Sequence, residues 1–318
     1  MVQVGCAGIL VADTFAGPMK SLPGPGQLVA IDGLPATVGG CASNVACDLS
    51  KQGIAAGVVG CVGNDLGAQI VIDALEARGV DCQQVRTSSE FPTSQTLILL
   101  VQGQDRRFIH VFGANGNFAV EQIDRQWLAG LDALYVGGLL AMPSFRLVEF
   151  AKLLQFCRAS KVLTVVDVVV SEDMNQFDGL DECLPYIDFF MPNDVEAAKI
   201  TQQIDPLDQA KCFCDKGVVT TVITLGEQGA LAMRDGKGWR IPAFDVNTVD
   251  GTGCGDAFDA GLIVATLQGW DFTRVLSYAS ALGGSCAQAI GCYDGVFTPE
   301  QADLFLATHQ LEIEEFTV

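Results

Sequence analysis

Short apolar runs alternate with stretches of helical period through most of the chain. Runs at residues 3–10, 55–61, 133–136, 162–168, 189–191 and 219–225 are rich in small and branched apolar residues and carry few charges. Near-continuous runs of this kind suit strands buried on both faces of a sheet. Between them, 42–52, 66–78, 144–159, 195–201, 207–216, 253–268, 272–289 and 299–309 read as helices. Gly53 and Gly79 stand where helix C-caps belong. Alternating β and α elements predict an α/β fold of three layers, with a mostly parallel central sheet between two layers of helices.

Two stretches break the rhythm. Residues 13–37 contain Gly17-Pro18, Pro23-Gly24-Pro25-Gly26 and a short extended run around 28–31. Residues 91–112 contain two β-rich runs, 95–102 and 107–112, joined by Gly103-Gln104-Asp105-Arg106, which is a hairpin signal. Both segments are expected to leave the main sheet and pair as a small β-lid. The main α/β unit would then comprise 1–12, 38–90 and 113–318.

Composition narrows the chemistry. Hydrophobic residues make up 49% of the 318 and charged ones 18%, enough for a large core and too apolar for disorder. No run approaches the ~18 uninterrupted apolar residues of a membrane span. The start, Met1-Val2-Gln3-Val4-Gly5, reads as the first strand and not as a secretion signal. A net charge of −20 argues against a nucleic-acid partner, since that binding rests on Lys and Arg neutralising phosphates. The twelve cysteines are then expected as reduced thiols in a cytoplasmic protein. A thiolate-bound metal is the competing use of them. With only His110 and His309, zinc-hydrolase and Ser-His-Asp chemistry are poorly supplied.

The chemically most pointed stretch is Asp250-Gly251-Thr252-Gly253-Cys254-Gly255-Asp256. A bare loop opening onto a helix offers the Gly253, Cys254 and Gly255 amides as an anion hole, with Asp256 beside it as a base toward a hydroxyl. The helix dipole should keep Asp256 ionised. A Gly-rich turn followed by an acidic first-turn residue is the structural alternative. Gly39-Gly40-Cys41-Ala42-Ser43-Asn44 places an Asn in the first turn of a helix, able to meet sugar hydroxyls. Asp13 follows the first strand, at the sheet edge where open α/β folds bind ligands. Asn193-Asp194-Val195-Glu196 has capping-box spacing, and could equally hold a Mg²⁺ shell through water. Thr224-Leu225-Gly226-Glu227-Gln228-Gly229 could be a simple turn or a wall for a nucleotide.

Taken together, these motifs resemble the ribokinase-like, or PfkB-type, carbohydrate kinase family. Asp250–Asp256 is similar to the family's second signature, and Gly39-Gly40 with Asn44 to its first. Gly60-x-x-Gly63-x-Asp65-x-x-Gly67, Gly113-Ala114-Asn115 and Asn193-x-x-Glu196 fall at the family's usual places. The resemblance implies transfer of the γ-phosphoryl of ATP, with Mg²⁺, to a primary alcohol of a small sugar. It implies Asp256 as base and the Gly253–Gly255 amides as anion hole. Asp13, Gly39, Gly40 and Asn44 would hold the acceptor. Thr224, Gly226 and Gly229 would line the nucleotide, and Asn193 and Glu196 would serve the metal and phosphates. Some members use K⁺, and Asp250 and Thr252 occupy that neighbourhood. The resemblance also implies a homodimer formed through the lid. Alternatives within it are a nucleoside kinase or a catalytically silent binding protein.

Several residues bear on the acceptor. Cys41 stands where ribokinases usually carry a Lys, which weighs against ribose. Basic residues are missing from the sequence around Asp13, Gly40 and Asn44, which favours an uncharged acceptor; Arg106 and Arg107, in the predicted hairpin, could reach the site but are expected in a solvated turn. Phe15 and Phe112, on lid segments, could stack on a base but are expected to pack within the lid.

Overall fold

The computed structural model describes residues 1–104, 106–171, 174 and 177–318. Nine strands form the central sheet. Ala56–Val59, Val4–Gly8, Ala133–Leu139, Leu163–Val168, Phe189–Phe190 and Thr220–Thr224 lie side by side and parallel. Every residue of Val4–Gly8 and Ala133–Leu139 is buried, which explains their unbroken apolar character. Helices Cys41–Lys51, Leu66–Ala77, Cys254–Leu267 and Phe272–Cys286 cover one face, and Leu147–Ser160, Asp194–Thr201 and Pro206–Asp215 cover the other.

Beyond Thr220–Thr224 the sheet reverses direction. Ala230–Arg234, Lys237–Ile241 and Glu314–Thr317 add three antiparallel strands. The run ending near residue 225 therefore continues into a hairpin, through Gly226–Gln228, not into a helix.

A second, four-stranded sheet runs Ala36–Gly39, Val11–Met19, Gln95–Val101, Arg107–Val111. Gln95–Val101 and Arg107–Val111 pair antiparallel as the hairpin expected from the sequence; of its turn, Asp105 lies outside the described residues. The extended run expected around 28–31 forms no strand. Instead the chain passes from Val4–Gly8 almost directly into Val11–Met19. Gly8 makes that exit feasible: its φ is 145°, and a side chain there would collide with the Gly137 carbonyl.

The order of the parallel strands fixes where a ligand can bind. From Val4–Gly8 the chain adds Ala56–Val59 on one side, then Ala133–Leu139 on the other. Such a reversal opens a crevice outside the carboxyl ends of the strands. Asp13, Asp167 and the Gly138–Leu139 end all follow or close those strands.

Candidate active site

Helix Cys254–Leu267 runs into the crevice with Gly253 at its N-cap, at a φ of 77° that favours glycine. No side chain caps it, so its first-turn amides remain for a ligand or solvent. A Cβ on Gly255 would meet nothing within 4 Å, whereas one on Gly253 would lie 2.6 Å from the Cys292 Cβ. The helix is anchored behind this end by close packing on Phe272–Cys286, where Gly261 leaves no room for a side chain against Ala279.

Two cavities lie on either side of the Asn44–Asp256 hydrogen bond. One, about 170 Å³, is lined by Asp167, Asn193, Glu196, Thr224, Gly255 and Asp256, among others. The other, about 300 Å³, lies under the smaller sheet and is lined by residues including Phe15, Thr37, Asn44, Arg78 and Tyr293. Asp256 lines the smaller cavity, and Asn44, which lines the larger, donates Nδ2 to its Oδ2 at 2.8 Å.

Desolvation dominates the charge state of Asp256. Burial pushes its carboxyl up to about 6, against hydrogen bonds from Asn44 and the Cys41 thiol, with Asp13 pushing further upward. The helix dipole, expected to keep Asp256 ionised, is opposed by this removal from water. Cys41, kept protonated by burial, is a donor that sequence reasoning treated only as a missing Lys.

Asp13 is 8% exposed, and burial likewise raises it to about 6, partly offset by the Thr96 hydroxyl. Gly39 must lack a side chain because a Cβ there would overlap the Asp13 carboxylate. Gly40, at φ 92°, is the N-cap of Cys41–Lys51 and turns that helix toward Asp256.

Asn193 and Glu196 form the expected reciprocal capping box, at 2.9 and 3.0 Å, while both also face the smaller cavity. Burial raises Glu196 to about 7, and burial with neighbouring carboxylates raises Asp167 and Asp259 well above the usual range. Asp167 and Asp259 were missed in the sequence. Asp167 was discoverable as an acid at the carboxyl end of a strand, and Asp259 as the residue one turn beyond Asp256. Cys41, Asp167 and Asp256 offer ligand atoms within 4.8 Å of one another; among the described residues no other such group occurs, so a thiolate-rich metal site is not built.

Thr224 borders the smaller cavity and bridges to Asn193. Gly226 and Gly229 sit beyond it in the turn, and Gly229 abuts the Ile241 backbone where a Cβ would not fit. Asp250 accepts from Thr252 N and Oγ1 and from the Gly291 amide, and pairs with Arg106 at 2.6 Å. Burial alone would raise Asp250, but those partners hold it below the usual range. Arg106 is therefore not an idle turn residue. Arg78, brought from the end of Leu66–Ala77, adds a cation to the larger cavity that the local sequence did not reveal. Phe15 lines that cavity, whereas Phe112 is exposed and meets His110 edge-on.

A family model described as pfkB family carbohydrate kinase matches residues 3–299. A ribokinase of Haemophilus influenzae is 26% identical over 290 residues, covering 89% of this chain and 91% of its own. A fructoselysine 6-kinase of Shigella flexneri is 30% identical over 264 residues, covering 81% and 91%. Among solved structures, Arabidopsis thaliana ribokinase complexed with ribose and ATP superposes at a TM-score of 0.82, with 21% identity, over 97% of this chain and all of that one. A putative ribokinase II from E. coli in complex with ATP and Mg²⁺ gives 0.81 at 22% identity, again over 97% of this chain and all of that one. The match across nearly the whole chain, with named kinases among the relatives, makes this protein a phosphotransferase acting on an alcohol group and a member of the pfkB family of carbohydrate kinases.

Proposed function

We propose that the protein transfers the γ-phosphoryl group of ATP to a hydroxymethyl group of a small sugar, with Asp256 accepting the proton. The observation that carries this is the position of Asp256. It lines a cavity floored by a bare helix N-terminus, and it is hydrogen-bonded to Asn44, which lines a second cavity of sugar size. The first suits phosphates, because exposed amides and the helix dipole favour anions there. In the second, Asn44 and Asp13 would orient the acceptor hydroxyls beside Gly39 and Gly40. Asp256 would take the proton late, as a loose phosphoryl transition state allows.

The donor set fits Mg²⁺. Asp167, Glu196 and Asp259 are carboxylates that burial and mutual repulsion leave under-ionised, and a hard divalent ion relieves both costs. Asn193 and Glu196 would hold it through water. When bound, the ion would neutralise charge on the transferring phosphate. For K⁺, the Asp250 carboxylate is already engaged, so main-chain carbonyls around Thr252 would have to supply the ligands; comparing rates in potassium and tetramethylammonium chloride tests the requirement. Thr224 and the Gly226–Gly229 turn would border the nucleotide.

Arg78 widens the acceptor choice to sugars bearing an anionic or strongly accepting substituent, and Phe15 keeps a nucleoside as the second reading. A coupled ATP-consumption assay across neutral sugars, sugar acids and nucleosides decides between them. Binding without turnover of any hydroxymethyl compound would overturn the kinase mechanism in favour of a silent binding protein.

The smaller sheet would act as the lid, and as the surface of a homodimer. Its outer strand Arg107–Val111 is exposed throughout, and Phe108, Ile109, Val111 and Phe112 are each more than half exposed. Patches of that kind usually mark an association surface. Ile109→Asp should convert the dimer to a monomer in light scattering, while a monomeric wild type would remove this part of the proposal. The described cysteines are all free, which suits a reducing, cytoplasmic setting. No described helix is long and apolar enough to cross a membrane.

Acidification should have opposite effects on activity and stability. Both Asp13 and Asp256 must be ionised to work, so kcat/KM should fall below pH 6 with a limiting slope steeper than one. Asp13→Asn should reduce that slope by about one, which separates the protein from the titration of ATP itself. Stability runs the other way. A carboxyl raised in the folded state stabilises fully below its unfolded value, and that contribution is lost as pH rises through the folded value. For Asp13, moved from 3.8 to about 6, the cost at neutral pH is about 3 kcal/mol. Asp48, fully buried with neither carboxylate oxygen hydrogen-bonded, adds in the same direction. Thermal midpoints should therefore be several degrees higher at pH 5.5 than at pH 7.5; equal midpoints would count against the buried acids as drawn.

A further inference from the structure

Three thiols gather behind the helix N-terminus. Cys254 is the first residue of helix Cys254–Leu267, and Cys286 the last of Phe272–Cys286. The two helices come together with little between them, since a Cβ on Gly283 would lie 3.0 Å from the Cys254 carbonyl oxygen. The two thiols act on each other: Cys286 holds the Cys254 thiol below its usual value, and Cys254 pushes Cys286 up. Cys286 Sγ also donates to the Thr252 carbonyl at 3.4 Å, so it touches the same loop. Cys254 is partly exposed and Cys286 fully buried, so an oxidant from solvent reaches Cys254 first. Cys292 is near but packs differently, with its sulfur 2.9 Å from where a Gly253 Cβ would be.

We propose that Cys254 and Cys286 form a reversible disulfide when the protein meets a peroxide, and that closing it switches the kinase off. In the first step the Cys254 sulfur attacks hydrogen peroxide. An S–O bond forms, the O–O bond breaks, and hydroxide leaves as water with the thiol proton. In the second, the Cys286 sulfur attacks Cys254, the S–O bond breaks and a second water leaves with the Cys286 proton. Two thiols lose two electrons to the peroxide, which is reduced to two waters. A thiol reductant reverses the bond by exchange. Joining the sulfurs at about 2.05 Å draws Cys254 away from the crevice. The amides of residues 253–255 move with it, so the loss of activity rests on the phosphate placement proposed above.

The test treats reduced, full-length protein with hydrogen peroxide, blocks free thiols, and maps peptides by mass spectrometry alongside turnover. The expected result is a Cys254–Cys286 crosslinked peptide that appears as turnover falls by about 10²-fold, both reversed by dithiothreitol. Cys286→Ala should have normal turnover before oxidation and give no crosslink, with dimedone labelling Cys254 instead. If that variant does not fold, Cys286→Ser keeps a donor for the Thr252 carbonyl and carries the same test. A wild type without this crosslink, or with Cys254 joined to Cys292, overturns the pairing. A complete crosslink with undiminished turnover overturns the switch, and places the fault in the assumed phosphate site and not in the thiol chemistry.

Discussion

Asp256→Asn is expected to lower kcat by about 10²–10⁴-fold, the range that a positioned general base contributes. That corresponds to roughly 3–5 kcal/mol of transition-state stabilisation. Asparagine has nearly the same shape and keeps the helix start intact, but it cannot accept the acceptor's proton. ATP affinity, measured by calorimetry, should stay within about twofold, because the base acts in the chemical step and not in nucleotide binding. The acidic limb assigned to this carboxyl should also disappear from what activity remains. Turnover within tenfold of the wild type would sink the assignment of Asp256 as base. The hydrogen bonds from Asn44 and Cys41 matter here, since both favour the ionised form of the carboxylate.

Gly255→Val should be nearly as damaging to function while sparing the fold. A Cβ on Gly255 meets no protein atom within 4 Å, so the valine side chain should be accepted and occupy the mouth of the helix. There it would displace a phosphate oxygen from the amides, with a loss of about 10²–10³-fold in kcat and a raised KM for ATP. Gly253→Ala provides the contrast. Its Cβ would strike Cys292 from a left-handed backbone, so that change should lower the thermal midpoint as well as activity. Normal ATP kinetics in Gly255→Val would mean that the phosphates lie elsewhere. A strong fall in its thermal midpoint would mean that the space above Gly255 is not free.

The parallel core was readable from the chain because its strands are buried on both faces and its helices carry clear caps. The antiparallel edge went unread, although Asp235-Gly236 joins two of its strands, because its short strands carry little periodicity. Val11–Met19 was missed because Gly17-Pro18 looks like a turn, yet lies inside a strand. In the site, Asp256, Asn44 and Asp13 announce themselves through local motifs. Cys41, Asp167 and Arg78 do not, since what matters about each is a neighbour far away in sequence. The charge state of Asp256 depends on burial, a property of the assembled molecule that no motif carries.

The contact between Arg106 and Asp250 has a consequence for how this enzyme can change. It fastens the outer hairpin of the small sheet to the loop from which helix Cys254–Leu267 starts. With the sites as proposed, reshaping that hairpin to admit a new sugar, whether by natural drift or by engineering, would also retune the donor end. Acceptor preference and nucleotide handling would then be mechanically joined.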